Sequence, residues 1–69
     1  MNINEKKIEF VAFCIEEYKY QHHLAGEAVV KLFEENQIID FLINHYEILH
    51  TQSKQYLQEE INTLIENKS

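Results

Sequence analysis

Apolar residues recur along most of the chain at spacings of three and four, which is the repeat of an α-helix. The first such segment begins at Ile3 or Asn4 and continues to Tyr20. At about 100° per residue, five of its apolar side chains fall in one arc, with Ile8 at the edge, and this arc has the width of a core-facing stripe. We expect Asn4 to cap this helix, with Glu5 placed favourably in its first turn. The members of the arc are Phe10, Val11, Cys14, Ile15 and Tyr18.

A second helix is predicted from Gly26 to Asn36, after the polar residues 21–23 interrupt the first stripe. Its inward residues are Ala28, Val29, Leu32 and Phe33. We expect the chain to break at Asn36 and Gln37, because Asn adopts the left-handed conformation that often ends helices.

A short third helix is predicted after this break. It is apolar around most of its circumference, which is typical of a helix at the centre of a bundle or one covered by another chain. Its inward stripe is Ile39, Leu42, Ile43 and Tyr46, and Ile38 and Phe41 lie on the other side.

The last segment repeats apolar residues at helical spacing, and either Thr51 or Ser53 can cap it. Its stripe is Leu57, Ile61, Leu64 and Ile65. The chain has no proline and one glycine, which disfavours a strand-rich domain with its tight turns. The predicted fold is all-α: a compact single-domain bundle of three to four short helices over residues 1–69.

Length and charge restrict the function classes. Sixty-nine residues, 45% of them hydrophobic, provide for one core. The net charge of −6, with six lysines and no arginine, argues against nucleic acid as a ligand, because phosphate binding needs clustered positive charge. The acidic balance is consistent with attraction to a basic partner and equally with solubility.

The location predicted from the sequence is the cytoplasm. Cys14 has no second cysteine with which to form a disulfide, and the N-terminal residues lack the apolar run of a secretory signal. The longest apolar stretch, residues 10–15, is about a third of the length that crosses a bilayer. We therefore expect no membrane association.

The segment HYEILHTQSKQYL, residues 45–57, is the best candidate for chemistry. His45 and His50 are five residues apart, which separates them by about 140° on a helix, whereas helical metal-binding pairs use spacings of three or four. Cys14 lies within the first apolar stripe, where a free cysteine behaves as a small hydrophobic residue. No phosphate-binding glycine loop or nucleophile motif is present. We predict neither an enzyme nor a cofactor.

A structural interpretation explains the same segment as a joint between helices. Tyr46, Leu49 and Tyr56 would be buried there, Thr51 would cap the last helix, and His50 would bond a free backbone carbonyl. The alternative is that these residues take part in recognition.

Two stretches, FVAFCIEEYKY (10–20) and VVKLFEENQIIDFLINHYEILHTQ (29–52), together with Tyr56, carry a family resemblance. The chain resembles small bacterial domains of unknown function that share a Phe-Cys-Ile-Glu start and a Tyr-x-x-Leu-His-Thr centre. The most specific matches are residues 14–16 and 49–52. The resemblance implies an accessory protein, in some cases encoded beside ADP-ribosyltransferase-like toxins, and hence an antitoxin or partner-binding role. It carries over no catalytic residue. The family is expected to have glycine near Gln37 and at Ser53, where this chain has other residues.

The predicted function is a non-enzymatic protein–protein interaction module, with a nearby toxin or a second copy of the chain as its partner. Apolar residues exceed one stripe per helix, and exposed aromatic residues are favoured interface anchors, although in so short a chain they can also wrap the core. The alternative is a small metal- or ligand-binding sensor using His45, His50 and Cys14. The candidate partner-binding residues are Phe13, Tyr20, Val30, Ile38, Phe41, Tyr46, His50 and Tyr56.

Overall fold

The computed structural model describes residues 2–67, and this part of the chain is helical with no strand. The predicted all-α fold is confirmed, and the four predicted helices correspond to α1, α2, α3 and α5. The four-residue α4 was not predicted. The helices are α1 (Ile3–His22), α2 (Gly26–Glu35), α3 (Ile38–Asn44), α4 (Tyr46–Leu49) and α5 (Lys54–Asn67).

The ends of α1 differ from the prediction by about two residues. Asn2, not Asn4, is the N-cap, and its Oδ1 accepts a hydrogen bond from the Glu5 N–H at 2.9 Å. The helix continues past Tyr20 to His22, and its C-cap His23 adopts the left-handed conformation with φ of 54°. The backbone N–H groups of His23 and Leu24 both donate to the Lys19 carbonyl, which closes the last turn of the helix.

The break between α2 and α3 lies where the sequence places it, but the left-handed residue is Gln37, with φ of 55°, and not Asn36. Asn36 has another use: its side-chain Nδ2 donates to the Leu32 carbonyl at 2.9 Å. A local bond from an asparagine side chain to the backbone competes with continuation of the helix. The two helices therefore meet at an abrupt turn.

The core lies between α1 and the other four helices, with α1 packed against α2, α3 and α5. Most of the predicted inward residues are found there, but Ala28 is exposed and Ile8 has 66% of its surface exposed. The buried apolar residues are Val11, Cys14, Tyr18, Val29, Phe33, Ile38, Leu42, Leu49, Leu57 and Ile61.

Ile38 is the one candidate partner-binding residue that the structure removes, because none of its surface is exposed. The placement of Ile38 on an outer side of α3 was wrong. Ile38 and Leu42 are four residues apart and both face the core, while Ile39 and Ile43 are only partly buried at its edge. A helix that is apolar on nearly every side gives the periodicity no polar face by which to choose the buried one.

Candidate functional site

Three of the predicted partner-binding residues come together in a groove formed by α1, α4 and the start of α5. Phe13, Tyr46 and His50 line it, with Phe10 and Leu57 beside them, and we call this surface the aromatic groove. Its volume is about 570 Å³, within the range of sites that hold a bulky ligand group. Lys6, Glu9, Gln52 and Lys54 complete the lining.

Tyr46 is held in place from two sides. The Phe10 ring meets it edge-on, with ring centroids 5.4 Å apart and an angle of 79° between the planes. The His50 ring stacks on it at 4.5 Å and 9°. Edge-on and stacked contacts both favour particular ring orientations, so the Tyr46 side chain is pre-organised within the groove.

The orientation of His50 is fixed by a backbone contact. Its Nδ1 lies 2.8 Å from the Tyr46 carbonyl oxygen, and because a carbonyl oxygen only accepts, Nδ1 carries the proton and donates it. His50 therefore bonds a backbone carbonyl as predicted, but this carbonyl is not a free one, because it also accepts the His50 backbone N–H at 2.9 Å. The Nδ1 contact leaves Nε2 as the ring nitrogen that can bond to another molecule.

Thr51 and Ser53 have separate roles at the joint that follows α4. The Thr51 Oγ1 donates to the Ile48 carbonyl at 2.8 Å. The Ser53 Oγ accepts from the Tyr56 N–H at 3.1 Å, which is the bond of an N-cap to the third residue of its helix. The structure thus selects Ser53 over Thr51 as the cap of α5.

The rim of the aromatic groove carries two lysines, Lys6 and Lys54, and one acid, Glu9. Lys54 Nζ also lies 3.8 Å from Oε1 of Glu17, which links the start of α5 to α1. In a chain of net charge −6, this rim is locally the most basic of the depressions described here. An acidic group is therefore the charge that suits it.

The other predicted candidates do not line the aromatic groove. Tyr20, 82% exposed, lies with Glu16 and His23 in a separate depression near the end of α1. Val30 is exposed on α2. Phe41 is half-buried and its ring packs on that of His45, with centroids 4.9 Å apart.

Tyr56 and Leu49 show that the predicted burial at the joint is only partly right. Leu49 is buried, but Tyr56 is 44% exposed and Tyr46 is half-buried. Tyr56 is in the first turn of α5, where its side chain lies outside the core.

The three residues of the sensor alternative do not form one site. Cys14 has no exposed surface, and burial, with a smaller contribution from Glu17, raises the pKa of its thiol to about 12. The thiolate is the form that binds metal, so this position is a poor ligand. The His45 ring packs at a tilt against Phe41, whereas the His50 ring stacks on Tyr46. Within residues 2–67, no group of three or more His, Cys, Asp or Glu is arranged to hold a metal ion.

Sequence reasoning missed part of the groove. Phe10 and Leu57 were assigned only to the core, and Lys6, Glu9 and Lys54 were not singled out. The available signal was the spacing of Phe10 and Phe13, which places both rings on neighbouring turns of α1. The spacing of residues along the chain does not show how α1 packs against α4 and α5, so the groove itself was not predictable.

Among residues 2–67, no helix has the length and apolar character needed to cross a membrane.

The fold and the aromatic groove define a small helical domain with a pre-organised surface site. A family model matches residues 9–68, which is most of the chain. The chain belongs to that family, DUF3791, described as a protein of unknown function. No curated protein matches the chain, and no solved structure matches it.

Proposed function

We propose that this domain is a non-enzymatic protein–protein interaction module and that the aromatic groove is its partner-binding site. The observation that carries the proposal is the convergence of Phe13, from α1, with Tyr46 and His50, from α4 and its C-cap, on one exposed groove. Aromatic side chains held rigidly at a surface lose little entropy on binding, which makes them favoured anchors.

The groove has the parts of a site for a single apolar anchor. Leu57 and Phe10 line it beside the rings of Phe13 and Tyr46, with Phe13 41% exposed. An aromatic or aliphatic side chain of the partner would be covered by these groups. Lys6 and Lys54 on the rim would pair with an acidic residue next to that anchor, and Nε2 of His50, the ring nitrogen without the proton, would accept one hydrogen bond.

The alternative is that these aromatic residues only cover the core. This explanation fits Phe10 and Tyr46 better than it fits Phe13. Phe10 and Tyr46 are half-buried and contact each other. Phe13 leaves a large part of its ring exposed, and a single exposed ring needs no explanation by itself. Its position beside the other two rings supports the interaction proposal.

We infer that the partner is a protein encoded beside this gene in bacteria, with a toxin of the ADP-ribosyltransferase-like class as the specific case. In that case the domain is the antitoxin or accessory component and acts in the cytoplasm. The support is the family resemblance of residues 10–20 and 29–52, together with a surface site that offers binding groups.

Co-expression tests this proposal. We expect the neighbouring gene product to arrest growth when expressed alone, to be harmless together with this chain, and to co-purify with it. A neighbour that is harmless alone would contradict the toxin–antitoxin form. A neighbour that does not co-purify would contradict the interaction with this partner.

The size of the chain in solution tests the homodimer that the sequence also allows. We expect a monomer in sedimentation analysis of the chain without its partner. A dimer that dissociates when Phe13→Ser is introduced would identify a second copy of the chain as the occupant of the groove.

A further inference from the structure

A second apolar surface lies on the other flank of α1. It consists of side chains from α1 and α3 around a shallow depression of about 270 Å³, and we call it the aliphatic patch. Ile15 and Phe13 are two residues apart, about 200° around the helix, so the patch and the aromatic groove face different directions. Its lining is Ile8, Val11, Ala12, Ile15, Ile39 and Ile43.

The spacing of these residues matches the surface of a helix-packing site. On α1 they recur at intervals of three and four, and on α3 Ile39 and Ile43 are four apart. Two such rows form ridges with a valley between them, into which the apolar ridge of a third helix can pack. Ala12, which is exposed at the centre of the α1 row, is small enough to allow close approach.

The aliphatic patch continues into an acidic depression. Ile39 lines both surfaces, and the second one, of about 200 Å³, is also lined by Glu34 and Asp40. No lysine lines either surface. The combined surface is therefore apolar along α1 and negative at its α2–α3 end.

The charge of this combined surface distinguishes between the molecules that could bind it. A second copy of the chain would bring another six net negative charges to an already acidic surface, and an isologous contact would place like patches together. A membrane surface with anionic lipids repels the same charges. A helix with an aliphatic face and a basic end complements both parts.

We propose that the aliphatic patch and the acidic depression together dock an amphipathic helix of a partner protein. In this helix a stripe of branched aliphatic residues packs between α1 and α3, and a lysine or arginine beyond the stripe pairs with Glu34 and Asp40. The inference does not depend on the aromatic groove. If both surfaces are used, the domain binds two segments at once, one on each flank of α1.

Three synthetic peptides of about 18 residues, long enough for several helical turns, test this proposal against the ¹⁵N-labelled full chain. The first has an aliphatic stripe at i, i+3, i+4 and i+7 with lysines beside it, the second has glutamates in place of the lysines, and the third is a scrambled version of the first. We expect the lysine peptide to bind about tenfold more tightly than the glutamate peptide at low salt, and the difference to shrink as salt rises. We expect amide shifts around Ile8, Ala12 and Ile39.

Two exposed isoleucines provide a matched pair of variants. Ile8, in the patch, and Ile48, outside it, are 66% and 67% exposed. Ile8→Ser is expected to weaken the lysine peptide several-fold, whereas Ile48→Ser leaves its binding unchanged. The double variant Glu34→Gln, Asp40→Asn is expected to remove the preference for lysine over glutamate.

Four results of the peptide-binding experiments would overturn the docking proposal. They are equal binding of the lysine and glutamate peptides, no binding of the lysine peptide at about 1 mM, amide shifts confined to the aromatic groove, and equal effects of the two serine variants. A concentration-dependent dimer that only Ile8→Ser weakens would also overturn it, because a second copy would then occupy the patch. The aromatic groove is tested separately, with Phe13→Ser and the neighbouring gene product, so failure of the docking proposal leaves that test standing.

Discussion

At the scale of single residues, Cys14 shows how a chemically versatile side chain becomes structural. It lies in the core of α1 with no exposed surface, and burial raises the pKa of its thiol from 9.0 to about 12. The thiol therefore stays protonated at neutral pH, and reagents that need the thiolate are expected to react only after unfolding.

The raised pKa of Cys14 predicts a pH dependence of stability. Because the folded pKa lies above the unfolded value, the folded state favours the protonated thiol, and this contribution is fully present below pH 9. We expect the free energy of unfolding to fall as the pH rises from about 9 to about 12. Denaturant unfolding at a series of pH values measures it.

Cys14→Ala separates this effect from that of the neighbouring tyrosine. Burial, with a smaller contribution from Glu66, also raises the pKa of Tyr18, which acts in the same direction. The variant is expected to lower overall stability and to show a shallower decline with pH. An identical pH profile in the two proteins would contradict a titrating thiol.

Gln58 carries the second residue-scale prediction. It is 4% exposed on α5, and its side-chain Oε1 has no hydrogen-bond partner. A buried acceptor without a partner costs about 1–3 kcal/mol, and methionine has nearly the same length. Gln58→Met is therefore expected to stabilise the domain by about 1 kcal/mol in denaturant unfolding.

Gln55, exposed one turn earlier on α5, offers the matched control for Gln58. Gln55→Met is expected to change stability by less than about 0.5 kcal/mol, as surface substitutions usually do. If Gln58→Met destabilised the domain, the side chain would have a partner in solution that offsets its burial.

At the scale of helices, the capping bonds give the clearest prediction. The Ser53 Oγ accepts from the Tyr56 N–H at the start of α5, and removing an N-cap side chain typically costs about 1 kcal/mol. Ser53→Ala is expected to lower the free energy of unfolding by that amount. Thr51→Ala, which removes only the exposed bond to the Ile48 carbonyl, is expected to cost less, and the reverse order would contradict the assignment of the cap.

The positions of the longer helices were largely predictable, because the spacing of apolar residues and the polar breaks between them indicate the same boundaries. Two kinds of structural detail were not predictable. Asn36 and Gln37 are adjacent, and the sequence does not show that Gln37 takes the left-handed conformation while the Asn36 side chain bonds the Leu32 carbonyl. The orientation of α3 was also misjudged at Ile38, since its sequence is apolar on nearly every side.

Helix α4 is too short to give a detectable pattern in the sequence, because it contains only four residues. Side chains that follow it bond its carbonyls: His50 bonds that of Tyr46, and Thr51 bonds that of Ile48. A bond from His50 to a backbone carbonyl was predicted because helix ends leave free carbonyls, although the Tyr46 carbonyl that it contacts also accepts the His50 N–H. Helix α4 itself was not predicted, since a single turn has no periodicity.

At the scale of the whole molecule, the chain has more apolar side chains than one small core covers. The surplus lies on both flanks of α1: the aromatic groove on one side and the aliphatic patch on the other. The sequence predicted such a surplus but not its distribution, because the positions of α3, α4 and α5 around α1 are set by tertiary packing. The charges follow the same division, with lysines at the groove and acids beside the patch.

The most direct test of the central claim is the affinity of the neighbouring gene product for the chain and for two variants, measured by titration calorimetry. Phe13→Ser removes an exposed ring from the aromatic groove, and Leu24→Ser removes a similarly exposed apolar side chain that follows α1 and lies outside the groove. We expect Phe13→Ser to weaken binding by about tenfold or more, as for an interface anchor, and Leu24→Ser to leave it unchanged. Equal affinities for all three proteins would contradict the claim that the groove binds the partner.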